Sequence, residues 1–145
     1  MRTKATSLFK IADRFLLILR RQGNFMEQRI RDMLSAIDGQ DMVAFGTFLA
    51  EDARFVFGNG EAIHGRESIV TTVRAVLQSL RSIAHTAQRF WSLDGVAICE
   101  GRVLYVDGLG QTLDAPFVDV LNVDARGLIT DYRVYVDASQ LNRPQ

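Results

Sequence analysis

The stretch Val96–Asp137, VAICEGRVLYVDGLGQTLDAPFVDVLNVDARGLITDYRVYVD, decides the fold. Its apolar residues recur at every second position, the period of a half-buried strand. Asp107-Gly108 with Gly110, and then Arg126-Gly127, interrupt that pattern as turn signals. Three antiparallel strands follow, near 96–106, 113–124 and 128–137. In the first, the odd positions Ala97, Cys99, Gly101, Val103 and Tyr105 carry no charge and face inward, leaving Glu100 and Arg102 outward. In the last, the even positions Thr130, Tyr132, Val134 and Val136 make the better inner face, with Arg133 and Tyr135 outside. The middle strand places Asp119 in an otherwise apolar odd row of Leu113, Ala115, Phe117, Leu121 and Val123. A carboxylate there loses its hydration unless it is protonated, hydrogen-bonded or open to a wet cavity. That marks Asp119 as a candidate functional acid with a raised pKa. A strand turned over or bulged, with Asp119 in solvent, is the competing reading.

Working outward, Asp94-Gly95 closes a hairpin onto a further strand near 84–92. Before it, Ile69, Val70, Val73, Val76, Leu77, Leu80 and Ile83 trace one face of a helix that starts near Arg66. Ala53 to Phe57 alternates as a strand, with Phe55 and Phe57 on one face, and Gly58-Asn59-Gly60 is a turn. Asp41 is a candidate N-cap for a short helix carrying Met42, Phe45 and Phe48. Met26, Ile30, Met33, Leu34 and Ile37 form the stripe of a first helix ending near Gly39. Helices followed by a run of antiparallel strands indicate an α+β domain, with the helices on one face of a curved sheet.

The 145 residues hold 17 basic and 17 acidic side chains, and the balance is uneven along the chain. Residues 1–25 carry six basic side chains against Asp13 alone, a net +5; residues 26–145 carry 11 arginines against 16 acids, a net −5. The first 25 residues therefore read as a basic extension. Leu8, Ile11, Ala12, Phe15, Leu16, Ile18 and Leu19 recur in it at helical spacing between Lys10, Arg14, Arg20 and Arg21. A membrane-surface or targeting helix, an extra helix packed or loose on the domain, and sequence upstream of a start at Met26 all fit that pattern. Residues 26–141 form the domain and 142–145 a short tail.

The single cysteine, Cys99, excludes an internal disulfide framework, and His64 and His85 are too few for a histidine-rich metal cluster. No apolar run reaches the ~18 residues of a membrane span. The acidic main part is a poor match for nucleic acid. A cytoplasmic location is the accompanying expectation.

With its element order, the chain resembles the nuclear transport factor 2-like superfamily, and within it the SnoaL-like and ketosteroid isomerase-like proteins. The resemblance covers about residues 27–141. It is carried by Ala50-Glu51-Asp52-Ala53, by Ile63-His64-Gly65-Arg66-Glu67, by Asp119-Val120-Leu121 and by Tyr132-Arg133-Val134-Tyr135-Val136-Asp137. It implies a cone: a strongly bent antiparallel sheet wrapped on three helices, with an apolar pocket inside that binds a small apolar ligand or substrate. It implies no cofactor. It also implies a homodimer through the outer sheet face, which agrees with the parity reading that sets Glu100, Arg102, Arg133 and Tyr135 there, the charged three able to make cross-strand pairs.

Carried over residue by residue, Asp119 matches the isomerase's oxyanion-binding aspartic acid, a carboxyl kept neutral by an apolar site. The isomerase's base position falls on Phe57 and its tyrosine on Met33, and neither can do that chemistry. The polar residues of limonene epoxide hydrolase fall on Phe55, Phe57, Gly101, Val103 and Val134, which disfavours that activity. What remains resembles the polyketide cyclase side of the family, with Asp119 in proton transfer on a carbonyl compound. Non-catalytic ligand binding and a dimeric scaffold are the alternatives. Tyr132 and His85 are the candidate helpers of Asp119, against the plainer reading of core side chains. Met33, Phe55, Phe57, Cys99, Val103, Phe117, Val134 and Trp91 are expected along the pocket, with His64 near its mouth.

Overall fold

The computed structural model describes residues 3–141. In chain order the elements are α1 (Thr3–Asp38), α2 (Met42–Thr47), β1 (Leu49–Phe57), β2 (Ile63–His64), α3 (Arg66–Gln78), β3 (Leu80–Leu93), β4 (Val96–Asp107), β5 (Thr112–Val123) and β6 (Ile129–Val136). The six strands make one curled, unclosed sheet in the order β2-β1-β6-β5-β4-β3. All pairs are antiparallel except β1 with β6, which is parallel.

The alternation in β4 and β5 sets the inner face. Ala97, Cys99, Gly101, Val103 and Tyr105 are buried, as are Ala115, Phe117, Asp119 and Leu121 opposite them. Tyr132 continues this face onto β6, opposite Leu121. The sheet bends where β3 slips register against β4 between Ala87 and Arg89. Gly101 faces that slip, and a Cβ there would lie 2.2 Å from the Thr86 carbonyl oxygen. Only glycine lets the two backbones approach this closely.

The helices cover the inner face. Ile30, Met33, Leu34, Ala36 and Ile37 of α1 are buried, a stripe at helical spacing. Arg29 ties the helix to the β5–β6 turn, donating from Nε to the Gly127 carbonyl at 2.8 Å while lying over the Phe48 ring. Asp41 caps α2 by accepting from the Ala44 N–H at 2.9 Å. Gly65, at φ +89°, turns the chain from β2 into α3 and donates its N–H to Ala53.

Four details differ from the sequence reading. The first helix does not start at Met26; it runs unbroken through Gly23 and Asn24, so the boundary drawn at residue 25 falls inside α1. Burial changes near that point: residues 8–22 are exposed, Met26 is half-buried and Ile30 is buried. The third helix ends at Gln78, and Leu80 and Ile83 belong to β3, where their i, i+3 spacing imitates another helical turn. Ile63 and His64 form a short edge strand on β1, with Arg54 opposite His64. Lastly, the cross-strand pairs expected of Glu100 and Arg102 form with other residues, while Arg133 pairs within its own strand. Arg102 bonds Asp114 at 2.9 Å, Glu100 lies 3.8 Å from Arg89, and Arg133 meets Asp131 at 3.0 Å. The tail 142–145 lies outside the described residues.

Candidate functional site

A cavity of about 1010 Å³ lies between the inner face of the sheet and the helices. Its wall is largely apolar, with Phe45, Phe55, Leu77, Ile83, Val103 and Phe117 among the lining residues. Phe57 and Gly58-Asn59-Gly60-Glu61 line it on the side where the side chains become exposed. Two hydrogen-bonded polar pairs reach this wall, which Glu61, Tyr105, Asp107 and Asp137 also line.

The first is Asp119 with Tyr132. Tyr132 is opposite Leu121, two residues from Asp119, so both side chains project from one face as diagonal neighbours on paired strands. The Tyr132 hydroxyl donates to Asp119 Oδ2 at 2.9 Å. Phe55, opposite Tyr132 across the parallel β1–β6 pair, packs edge-on against its ring at 5.3 Å and fixes it. Asp119 is the one buried charged residue among the described residues, and its Oδ1 has no hydrogen-bond partner there. Burial raises its pKa from 3.8 to about 7; the Tyr132 hydrogen bond and the charge of His85 oppose that rise. Burial, with the negative charge of Asp119, pushes Tyr132 well above the ordinary tyrosine range.

The second is His85 with Asp38. The last residue of α1 reaches β3 here: Asp38 Oδ1 lies 2.5 Å from His85 Nδ1, and Asp38 Oδ2 accepts the His85 backbone N–H at 2.9 Å. Acceptance by a carboxylate places the proton on Nδ1, so Nε2 is the nitrogen left to act as a base. The Phe117 ring stands edge-on to the imidazole at 5.2 Å.

The structure therefore brings Asp119, Tyr132, His85, Phe55, Phe57, Val103, Phe117 and Val134 to one cavity. It leaves four expected residues outside the lining. Met33 is fully buried in the core under α1. Cys99 is fully buried, and burial above all raises its thiol to about 12, so it stays protonated. Trp91 sits opposite Ile98 on the outer face, half exposed, because the slip after Ala87 reverses which face odd-numbered residues of β3 occupy. His64 is exposed on the edge strand. Two residues of the site were missed. Tyr105 lines the cavity, its hydroxyl raised to about 12 by burial and then by the charge of Asp119; its place in the uncharged odd row of β4 was the signal. Asp38 had none, since only the packing of α1 on β3 brings it to His85. Among the described residues, no three metal-ligating side chains cluster.

This geometry offers a base held by a carboxylate and a buried acid held by a tyrosine, facing one apolar space. That pairing suits proton transfer at a carbon beside a polarised oxygen.

A family model described as "SnoaL-like domain" matches residues 30–132. No curated protein gives a significant match. Among solved structures, the chain is similar to an NTF2-like protein of unknown function from Burkholderia pseudomallei (TM-score 0.72, 17% identity, 80% of this chain and 93% of that one). It is also similar to a putative SnoaL-like polyketide cyclase from Jannaschia sp. CCS1 (TM-score 0.71, 14% identity, 86% and 94%). A third is an LEH-like epoxide hydrolase from M. tuberculosis (TM-score 0.71, 19% identity, 81% and 86%). At these identities the likeness is one of fold, and that fold hosts several chemistries.

Proposed function

The chain belongs to the SnoaL-like domain family, and from that premise we propose that it binds a small apolar carbonyl compound in its cavity and catalyses proton transfer on it, as in a cyclisation or isomerisation. The observation that carries this reading is the unpartnered Oδ1 of Asp119 in the cavity wall, with Tyr132 on the other carboxyl oxygen. With a pKa near 7, Asp119 is largely protonated below neutrality and can donate to the substrate oxygen as negative charge grows there. His85, oriented by Asp38, takes the proton from the adjacent carbon through Nε2. The family resemblance puts Phe57 and Met33 at the positions of the ketosteroid isomerase base and tyrosine, so the base proposed here comes from a different strand. Epoxide opening is not proposed, because Phe55, Val103 and Val134, which the resemblance puts at polar positions of limonene epoxide hydrolase, are apolar and line the cavity.

Binding without turnover is the second reading, favoured by the same apolar substitutions. We also propose that the protein is a dimer through the outer face of β4–β6, where Tyr135 is 56% and Leu104 41% exposed. Among the described residues, no helix is long and apolar enough to cross a membrane.

Deuterium exchange separates catalysis from binding. Cyclic ketones that bind the protein are incubated with it in D2O, and label at the α-carbon is followed by NMR. Exchange should be catalysed by the unaltered protein and fall by ~10²-fold or more in His85→Ala and in Asp119→Asn. A ketone that binds in the cavity and gains no label would remove the catalytic reading and leave the binding one.

A further inference from the structure

From Leu8 to Gln22 every residue of α1 is exposed, and the apolar ones include Leu8, Ile11, Phe15, Leu16, Ile18 and Leu19, at 44–68% exposure. They are not scattered. Leu8, Ala12, Phe15 and Leu19 lie on the i, i+4, i+7, i+11 line that continues through Met26, Ile30, Met33 and Ile37, the stripe that α1 packs on the sheet. The same apolar face thus runs on for about five turns, roughly 27 Å, past the part of the helix that the domain covers. Gly23 lies beside Ser92 of the β3–β4 hairpin, where that cover ends.

The opposite side of this segment is basic. Lys10, Arg14 and Arg21 share one line, with Arg20 at its flank, and Asp13 is the one acid between residues 8 and 25. Leu17 interrupts the polar side. Ile18 and Leu16 widen the apolar side to about half the helix circumference, more than the narrow seam that one partner helix buries. Two copies of this helix pairing along that face would bury only its centre and leave both basic rows on the outer sides with no acid to meet them. A flat anionic surface with an apolar layer beneath it meets both sides at once: the apolar half sinks to the acyl boundary while the basic side chains reach the phosphates.

We propose that residues 8–25 form a surface anchor that lies on a bilayer containing anionic lipid. This is independent of what the cavity does. Its test is flotation of the full chain with vesicles of phosphatidylcholine alone and of phosphatidylcholine with phosphatidylglycerol at 7:3. The protein should float with the anionic vesicles and stay behind with the neutral ones, and raised salt should release it. Phe15→Asp with Leu19→Asp should abolish flotation, and Arg20→Glu with Arg21→Glu should lower the bound fraction at least about tenfold. All four positions are exposed, so the melting temperature should stay unchanged in both variants. Equal binding to both vesicle types, no binding to either, or self-association without lipid that Phe15→Asp abolishes would each overturn the proposal. So would preferential binding of a nucleic acid duplex through Arg20 and Arg21.

Discussion

Burial raises Asp119 from an ordinary 3.8 to about 7, so the folded chain holds a proton that the unfolded chain has already released over that interval. Stability therefore falls as pH rises through the window and levels off above it; the span from 3.8 to about 7 corresponds to roughly 4 kcal/mol. Asp119→Asn keeps the shape and removes the titration. Urea melts of both proteins between about pH 4.5 and 8 should show the wild type losing stability relative to the variant as pH rises. Parallel curves would mean that Asp119 does not carry the proton. Tyr132→Phe removes the one hydrogen bond that opposes the rise, and should move the fall in stability to higher pH. Parity in the sequence set Tyr132, Phe117 and Val103 on inner rows and left Asp119 open between pocket and solvent, and the family resemblance favoured the inner side, where it is buried. The expectation of Trp91 along the pocket failed because a slip of one position in β3 exchanges the two faces. Parity could not find Asp38, whose partner is 47 residues away and is met through helix packing.

Among the elements, the meander was legible because its turns and its period agreed, and the observed strands differ from the expected spans by a few residues at most except in β3. The helices were harder. Gly23-Asn24 resembles a boundary, yet a glycine costs a helix interior only about 1 kcal/mol, and α1 continues through it. The same residue type has a stricter role at Gly101. A Cβ there would lie 2.2 Å from the Thr86 carbonyl oxygen and 3.0 Å from both Ala87 Cα and Phe117 Cε1. Two of those atoms are backbone at the bend of the sheet, so no rotamer change relieves the contact. Gly101→Ala should destabilise the fold by about 2–3 kcal/mol and lower Tm by roughly 10 °C. A Tm within about 2 °C of the wild type would show that β3 can move away, and that the bend does not depend on this glycine.

At the scale of the whole molecule, the balanced charge resolves into two surfaces of opposite kind. The projecting part of α1 is basic and apolar, whereas the outer face of the sheet alternates apolar residues with ion pairs that are already closed. Across β3, β4, β5 and β6 one row there reads Trp91, Ile98, Val120 and Arg133, and the next carries Glu100, Val118 and Tyr135. Arg102 pairs with Asp114, and Asp131 is shared by Arg133 and Arg54, so the charges beside the apolar patch already have partners when a second copy lies on it. A two-fold axis through β5 would set each patch on its twin. Sedimentation velocity of the full chain without lipid should give twice the monomer mass at micromolar concentration. Tyr135→Asp, which puts a charge beside Val118 in that row, should return it to the monomer. Phe15→Asp should leave the dimer intact, because that residue belongs to the other surface. A monomeric wild type would refute the sheet-face dimer, and a dimer lost in Phe15→Asp but kept in Tyr135→Asp would move the interface to α1.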